Sequence, residues 1–308
     1  MIYHELWQSL QGIYDERESR AVVLWLLEVA FGLSHTDVVC GAVERLQDES
    51  RRRLKEMMAR LQQGEPVQYV AGVAHFGPRQ FRVSPAVLIP RPETYELCQW
   101  IVSGEWRVER EERVVSGEWR EERGERIFSG EWRVERGERI DSVLDIGTGS
   151  GCIACTLASE LRGSEVTAWD ISEEALYMAK ENAKNNGSIV VFEQQDALSP
   201  PDDHNRWDII VSNPPYICDK ESDGMERNVL DYEPHLALFV PDNDPLCFYR
   251  AIGQYAHKAL KTGGRLFFEL NAAYADETKT LMEQLGFTNT EIKDDQFGRH
   301  RFLKTSRP

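Results

Sequence analysis

Two short stretches carry residue types whose spacing could do chemistry. The first is "DIGTGSG", Asp145 to Gly151, which follows the strand-like "SVL". Glycines in such a turn let the backbone approach a ligand closely, with the amides of a following helix pointing at it. The second is "SNPPY", Ser212 to Tyr216, which follows the apolar run "WDIIV". A plain turn can use Asn-Pro, but it gains nothing from a second proline and a tyrosine. An amide side chain set against two rigid rings and an aromatic suits the gripping of a planar polar group.

The first stretch reads as the cradle of an adenosine cofactor. Asp170 ends the next strand-like run, "EVTAWD", 23 residues after Gly147. An acidic residue at that spacing suits the two hydroxyls of a ribose. The dinucleotide pattern G-x-G-x-x-G/A would need Gly or Ala at position 152, where Cys152 stands. No G-x-x-x-x-G-K-[ST] occurs, so a P-loop is excluded. With Asp145 before the loop and Asp170 after it, S-adenosylmethionine is favoured over NAD. The candidate cofactor-binding residues are Gly147, Thr148, Gly149, Ser150, Gly151 and Asp170. Asp196, in "QQDAL", falls near the adenine edge with Ala197 beside it, or else simply caps a strand end. Both readings stay open.

Asn213 then falls beside the donor methyl and joins the cofactor-binding set. A planar amide or amine nitrogen is a poor nucleophile because its lone pair is delocalised. It needs acceptors that take its N–H groups and aim that lone pair at the methyl carbon. The Asn213 side-chain oxygen and the Pro214 carbonyl can be those acceptors. Pro214 and Pro215 stiffen the loop and remove competing donors, and Tyr216 supplies a flat wall. Asn213, Pro214 and Tyr216 are therefore the candidate catalytic residues, and Asn213, Pro214, Pro215 and Tyr216 the candidate substrate-binding residues. No metal site is expected: the seven histidines are isolated and the six cysteines scattered. Cys152 and Cys155 form a C-x-x-C without a second one. They read as two small residues on one helix face.

Strands and helices alternate from Ser142 onward, as they must to position both stretches. "SVLDI", "EVTAWDIS", "IVVFEQQDAL", "WDIIV", "RLFFEL" and "HRFLKT" read as strands. "CIACTLASEL", "EEALYMAKENAKNNG", "PLCFYRAIGQYAHKALKTGG" and "YADETKTLMEQLGF" read as helices between them. Repeated βα units imply a mostly parallel, Rossmann-like sheet covered on both faces. Ligands bind such sheets at the carboxyl ends of the strands, where both stretches fall.

Upstream, Ser19 to Gly32 reads as a helix with a serine N-cap and a glycine end. Ala42 to Gly64 reads as a second, with Val43, Leu46, Leu54, Met57, Met58 and Leu61 near helical spacing. From Pro66 to Pro92, glycine, proline and β-formers in short runs suggest a β-hairpin with loops. Then a charged unit repeats, with Ser103, Ser116 and Ser129 opening copies 13 residues apart. Each copy is too short and too charged to bury a core. It reads as an insertion, either a disordered loop or a charged helical or hairpin protrusion, whose Trp106, Trp119 and Trp132 need have no function. The expected domains are a helical domain over 1–64 that either grips a partner or only braces the fold, a hairpin linker and start of the catalytic domain over 65–102, the insertion over 103–139, and the S-adenosylmethionine-binding domain over 140–308.

Composition narrows the function classes. The formal net charge of the 308 residues is −16, which argues against a general nucleic-acid binder, whose affinity rests on Lys and Arg. The start of the chain lacks a basic segment followed by an apolar one, so no signal peptide is expected. No run of about 18 uncharged apolar residues occurs, so no membrane span is expected. Scattered cysteines suggest a reducing cytoplasm.

The chain resembles the HemK or PrmC family, the N5-glutamine methyltransferases of peptide-chain release factors. The resemblance rests on "GEPVQYVAG", "FRVSPAVLIPRPET", "VLDIGTGSGCIA", "WDISEEAL", "VSNPPYI", "YEPHLALF", "DPLCFYRAI" and "GRLFFEL". It implies a seven-stranded class I methyltransferase domain of α/β class over 140–308, with a small N-terminal helical, substrate-binding domain over 1–64 and a β-hairpin linker. It also implies S-adenosyl-L-methionine as cofactor, S-adenosyl-L-homocysteine as product, and class I release factors as protein substrates modified at the glutamine of Gly-Gly-Gln. Gly147 to Gly151, Asp170, the Ala197 position and Asn213 would contact the cofactor, and Asn213 to Tyr216 would hold the glutamine. A monomer acting in the cytoplasm, without direct nucleic-acid or membrane contact, is expected. Two features depart from the family: Tyr95 where a glutamate usually follows "RPET", and the insertion at 103–139. The rivals are a glutamine methyltransferase of a ribosomal protein, a nucleic-acid amine methyltransferase, which would want a basic face, and a non-catalytic adaptor using the repeat.

Overall fold

The computed structural model describes residues 2–104, 118–122, 125–129 and 140–308. The chain opens with Tyr3–Gln8 (α1), Glu16–Phe31 (α2), His35–Val39 (α3), Asp48–Leu61 (α4) and Val67–Ala71 (α5). The buried stripe of α2 includes Val23, Leu26 and Leu27, and that of α4 is Leu54, Met57, Met58 and Leu61. This spacing puts each set on one helix face. The stripes close on Leu6, Trp7, Leu10, Val38, Val43 and Val70. Val70 belongs to α5, so bundle packing runs on past residue 64.

Two helix limits differ from the sequence reading. The first helix starts at Glu16, because the Asp15 carboxylate accepts from the Glu18 amide at 2.8 Å and caps it. Ser19 lies inside that helix, fully buried. The second expected helix is broken: Ala42–Arg45 forms a 3₁₀ turn and α4 begins only at Asp48. The Arg51 guanidinium donates to the carbonyls of Glu44 and Leu46, both at 3.1 Å, which satisfies the interrupted turn.

Val73–Phe76 (β1) and Arg79–Arg82 (β2) form the hairpin, a smaller part of 66–92 than the sequence suggests. Pro92–Ser103 (α6) follows, with proline in its first turn and Leu97, Cys98, Trp100 and Ile101 buried. Tyr69, Val83, Val87, Ile89 and Ala175 form a small cluster that ties bundle, hairpin and larger domain together. In the repeat, Glu118–Glu122 (β3) and Glu125–Ser129 (β4) pair antiparallel, with Trp119 opposite Phe128. Ser103 closes α6 and Gly104 caps it, and the rest of the insertion, with Trp106 and Trp132, lies outside the described residues.

The larger domain runs Ser142–Ile146 (β5), Cys152–Glu160 (α7), Glu165–Asp170 (β6), Glu173–Asn186 (α8), Val191–Gln194 (β7), Trp207–Ser212 (β8), Ile217–Cys218 (β9), Arg227–Tyr232 (α9), His235–Leu238 (α10), Phe239–Val240 (β10), Cys247–Ala259 (α11), Leu260–Glu269 (β11), Ala275–Gln284 (α12), Thr288–Asp294 (β12) and His300–Ser306 (β13). Seven of these strands form one sheet in the order β12-β13-β11-β8-β5-β6-β7. All its pairs are parallel except those of β13, which runs against both neighbours. Successive strand residues face opposite sides. Val143, Ile209, Val211 and Phe267 pack with Leu97 and Ile101 of α6 and with Ile153 and Leu157 of α7. Leu144, Ile210, Leu266 and Phe268 pack with Tyr249, Ile252 and Ala256 of α11.

One sheet strand, β12, has no counterpart in the residue-by-residue reading. It is an edge strand whose side chains are exposed or half-buried, so no apolar run announces it. The helix expected to end at Gly-Gly ends at Ala259 instead, and the glycines fall where the β11 register breaks between Leu260 and Arg265. A Cβ on Gly264 would lie 2.8 Å from the Lys261 carbonyl oxygen and 3.1 Å from that of Trp207. Only glycine allows so close a backbone approach. No helix among the described residues is long and apolar enough to cross a membrane.

Candidate active site

The turn after β5 is held by two carboxylates, Asp145 buried and Asp170 half-buried. Asp145 Oδ2 accepts from Thr148 Oγ1 at 2.6 Å and from the Ala154 amide at 3.1 Å, which ties the loop to the first turn of α7. Asp145 Oδ1 has no partner among the described residues, and burial pushes the carboxyl up to about 7. Asp170, at the end of β6, accepts from the Gly149 amide at 2.8 Å and the Ser172 amide at 2.9 Å. Burial raises its pKa as well. Gly149 and Gly151 sit at φ +54° and +80°, a region that costs other residues strain. A Cβ on Gly151 would also stand 3.1 Å from Ala179 Cβ on α8.

The turn floors a cavity of about 390 Å³, within the range of small-molecule sites. Gly147, Thr148, Gly149, Ser150, Asp170, Asp196, Ala197, Asn213, Pro214 and Pro215 all line it. Gly151 does not, because it packs behind the loop against α8. Asp196 lies beyond β7, which ends at Gln194, and its Oδ1 accepts from the Leu198 amide at 2.8 Å. Its carboxylate thus caps a turn while the residue lines the wall. Ser150 Oγ is buried without a hydrogen-bond partner among the described residues.

A second cavity of about 220 Å³ adjoins the first, and both are lined by Leu88, Arg91, Asn213 and Ala237. Tyr216 lines only the second, with Ile217, Met225, Glu226, Val229 and Leu238. Asn213, directly after β8, therefore stands where the two spaces meet. Arg91 is pinned there by Glu233 at 2.6 Å, and Glu233 also accepts from the Ile89 amide at 3.2 Å.

Behind Asn213 runs a chain of side-chain hydrogen bonds. Asn213 Nδ2 donates to Thr94 Oγ1 at 3.2 Å, and Thr94 Oγ1 donates to Glu269 Oε2 at 2.6 Å. Tyr216 Oη donates to Glu269 Oε1 at 3.1 Å. Asn271 Nδ2 donates to the Tyr216 carbonyl at 2.9 Å. Glu269 is 1% exposed, and burial raises its pKa, with Thr94 and Arg301 pulling it back. The Tyr216 hydroxyl is pushed up by burial and then by Glu269.

Sequence reasoning missed Thr94, Glu233, Glu269 and Asn271 as site residues. One signal was available: Glu269 is a lone carboxylate closing an apolar strand at the carboxyl end of the sheet. Tyr95, at the departure from the family pattern, lines neither cavity. It packs edge-on against Phe76 at 5.3 Å and fills the space over Gly77, where a Cβ would collide with its ring. Cys152 and Cys155 are buried with Cys98 in the core under α6 and α7.

Comparison with known proteins shows the family of the chain. Residues 133–231 match the methyltransferase small domain, and residues 3–72 match the PrmC N-terminal domain. A release factor glutamine methyltransferase of Bacteroides thetaiotaomicron is 40% identical over 301 residues, covering 97% of this chain and 97% of its own. One of Flavobacterium psychrophilum is 36% identical over 299 residues, covering 97% and 95%. With that identity over nearly its whole length, the chain belongs to the release factor glutamine methyltransferase family.

Proposed function

We propose that this chain transfers a methyl group from S-adenosylmethionine to the side-chain amide nitrogen of the glutamine in the Gly-Gly-Gln motif of class I release factors. The observation that carries the reading is Asn213 at the junction of the two cavities. The larger has the donor set for the cofactor. Each Asp170 oxygen keeps a lone pair after accepting its amide, as ribose hydroxyls require, and Ser150 Oγ is a polar atom still in need of a partner. Asp196 and Ala197 would flank the adenine. Bound there, the cofactor supplies a methyl on a positively charged sulfur.

The smaller cavity admits the acceptor side chain past Arg91 and Tyr216. Asn213 Nδ2 gives one of its two hydrogens to Thr94, which turns the amide so that Oδ1 is the end facing the acceptor. Oδ1 and the Pro214 carbonyl take the two N–H groups and turn the nitrogen lone pair toward the methyl carbon. The N–C bond forms as the S–C bond breaks. The nitrogen, then cationic and strongly acidic, loses a proton to water. No early general base is needed. The two names in the family comparison support the release factor as the acceptor. To test it, the protein is incubated with isotopically labelled S-adenosylmethionine and release factors, and the modified residue is mapped by mass spectrometry. One methyl on the Gly-Gly-Gln glutamine is expected. Transfer to a ribosomal protein or a nucleic acid, with none to the release factor, would overturn the proposal.

A further inference from the structure

We infer that Thr94 and Glu269 are positioning residues that decide which end of the Asn213 amide faces the acceptor. A primary amide has two ends of similar size and opposite hydrogen-bonding sense. An Asn213 with its NH₂ toward the acceptor would meet donor with donor. Packing alone does not choose between the two orientations, whereas hydrogen-bond partners do.

The choice is made two residues away. Thr94 has one hydroxyl proton and gives it to Glu269 Oε2 at 2.6 Å. Its oxygen can then only accept, so it calls for Nδ2 of Asn213, found at 3.2 Å. Glu269 receives from Tyr216 on its other oxygen, at 3.1 Å. A carboxylate that accepts on both sides thereby sets the direction of both polar side chains of the Asn-Pro-Pro-Tyr loop. Thr94 is 3% exposed and Glu269 1%, which leaves little access for solvent to substitute for either. The Tyr249 hydroxyl donates to the Glu269 carbonyl at 3.1 Å and anchors the end of β11.

This inference rests on the reading of Asn213 as the residue that orients the acceptor amide. The test compares wild type with T94V, T94S, E269Q and N213A in methyl transfer to a release factor, alongside donor affinity by calorimetry. T94V should lower kcat by about 10- to 100-fold, with KM for the release factor and donor Kd within about twofold. T94S, which keeps the hydroxyl, should restore kcat to within about threefold. E269Q should lose at least as much as T94V, because its amide puts an NH₂ against Thr94 or Tyr216 and reverses one of the two bonds. A wild-type kcat in T94V beside an inactive N213A would overturn the positioning role and leave the proposed function standing. An equal loss in T94S and T94V would overturn it too, by showing that packing and not the hydroxyl matters. If E269Q does not fold, the Thr94 pair alone decides. If wild type fails to methylate any release factor, the proposed function fails first and this inference falls with it.

Discussion

The two halves of the proposed site, one proposed to take the cofactor and the other the acceptor, are built by opposite means. The cofactor half is held by carboxylates that reach backbone amides close by in the chain: Asp145 to Ala154, and Asp170 to Ser172 and Gly149. The acceptor half is held side chain to side chain, over separations of 119 residues for Asn213–Thr94 and 175 for Thr94–Glu269. The first design fixes a backbone shape and tolerates many side chains nearby. The second fixes the direction of individual hydrogen bonds, which an amide acceptor requires and a bound nucleoside does not. Substitutions in the two halves should therefore separate donor binding from turnover.

The largest effect is expected at Asn213. Asn213→Ala should cut turnover by roughly 10²- to 10⁴-fold while donor affinity, measured by calorimetry, changes little. Near-wild-type turnover would put the acceptor half elsewhere. Asp170→Ala should do the reverse and weaken donor binding by about 1–3 kcal/mol, with a smaller loss of turnover once donor is saturating. A variant that binds donor as wild type does would remove Asp170 from the cofactor half. Tyr216→Phe should lower kcat only about three- to tenfold, since its hydroxyl touches Glu269 and the ring is kept. A loss as deep as that of Asn213→Ala would give the hydroxyl a direct part in transfer.

Asp145 offers a test of the cofactor half without any ligand. Its carboxyl titrates near 7 in the folded chain, against about 4 in an unfolded one. Between those values the folded state binds the proton more tightly. The stability that proton contributes is present at low pH and lost as pH rises from about 4 to about 7. Asp145→Asn cannot ionise, so its melting temperature should gain on that of wild type across this window. Parallel curves of melting temperature against pH would show that the carboxyl is not strained by burial. The smallest effect is expected from replacing residues 105–139 with a short linker. The repeat is charged and each copy is too short to bury a core, so kcat should stay within about twofold. A deep loss would make the insertion part of the acceptor half.

The same contrast explains what the sequence discloses. Gly147 to Gly151 and Asp170 are legible because a strand, a glycine turn and an acidic strand end lie close together, and each has a local meaning. Asn213 is legible because prolines and a tyrosine have no reason to crowd a simple turn. Thr94 and Glu269 are not, since nothing local to a threonine in "RPET" or a glutamate in "FFEL" tells that they meet. In the fold, β5, β6, β8 and β11 announce themselves as buried apolar runs, whereas the half-exposed edge strand β12 does not. The break before α4 depends on Arg51 reaching back to Glu44 and Leu46, a tertiary choice that helical periodicity cannot convey.

The most direct test is a crystal structure of the enzyme with S-adenosylhomocysteine and a release factor. The glutamine amide nitrogen should lie within about 3.2 Å of Asn213 Oδ1, with Nδ2 still on Thr94 and the homocysteine sulfur across the junction in the larger cavity. A glutamine bound away from Asn213, or an Asn213 amide turned so that Nδ2 faces it, would contradict the arrangement.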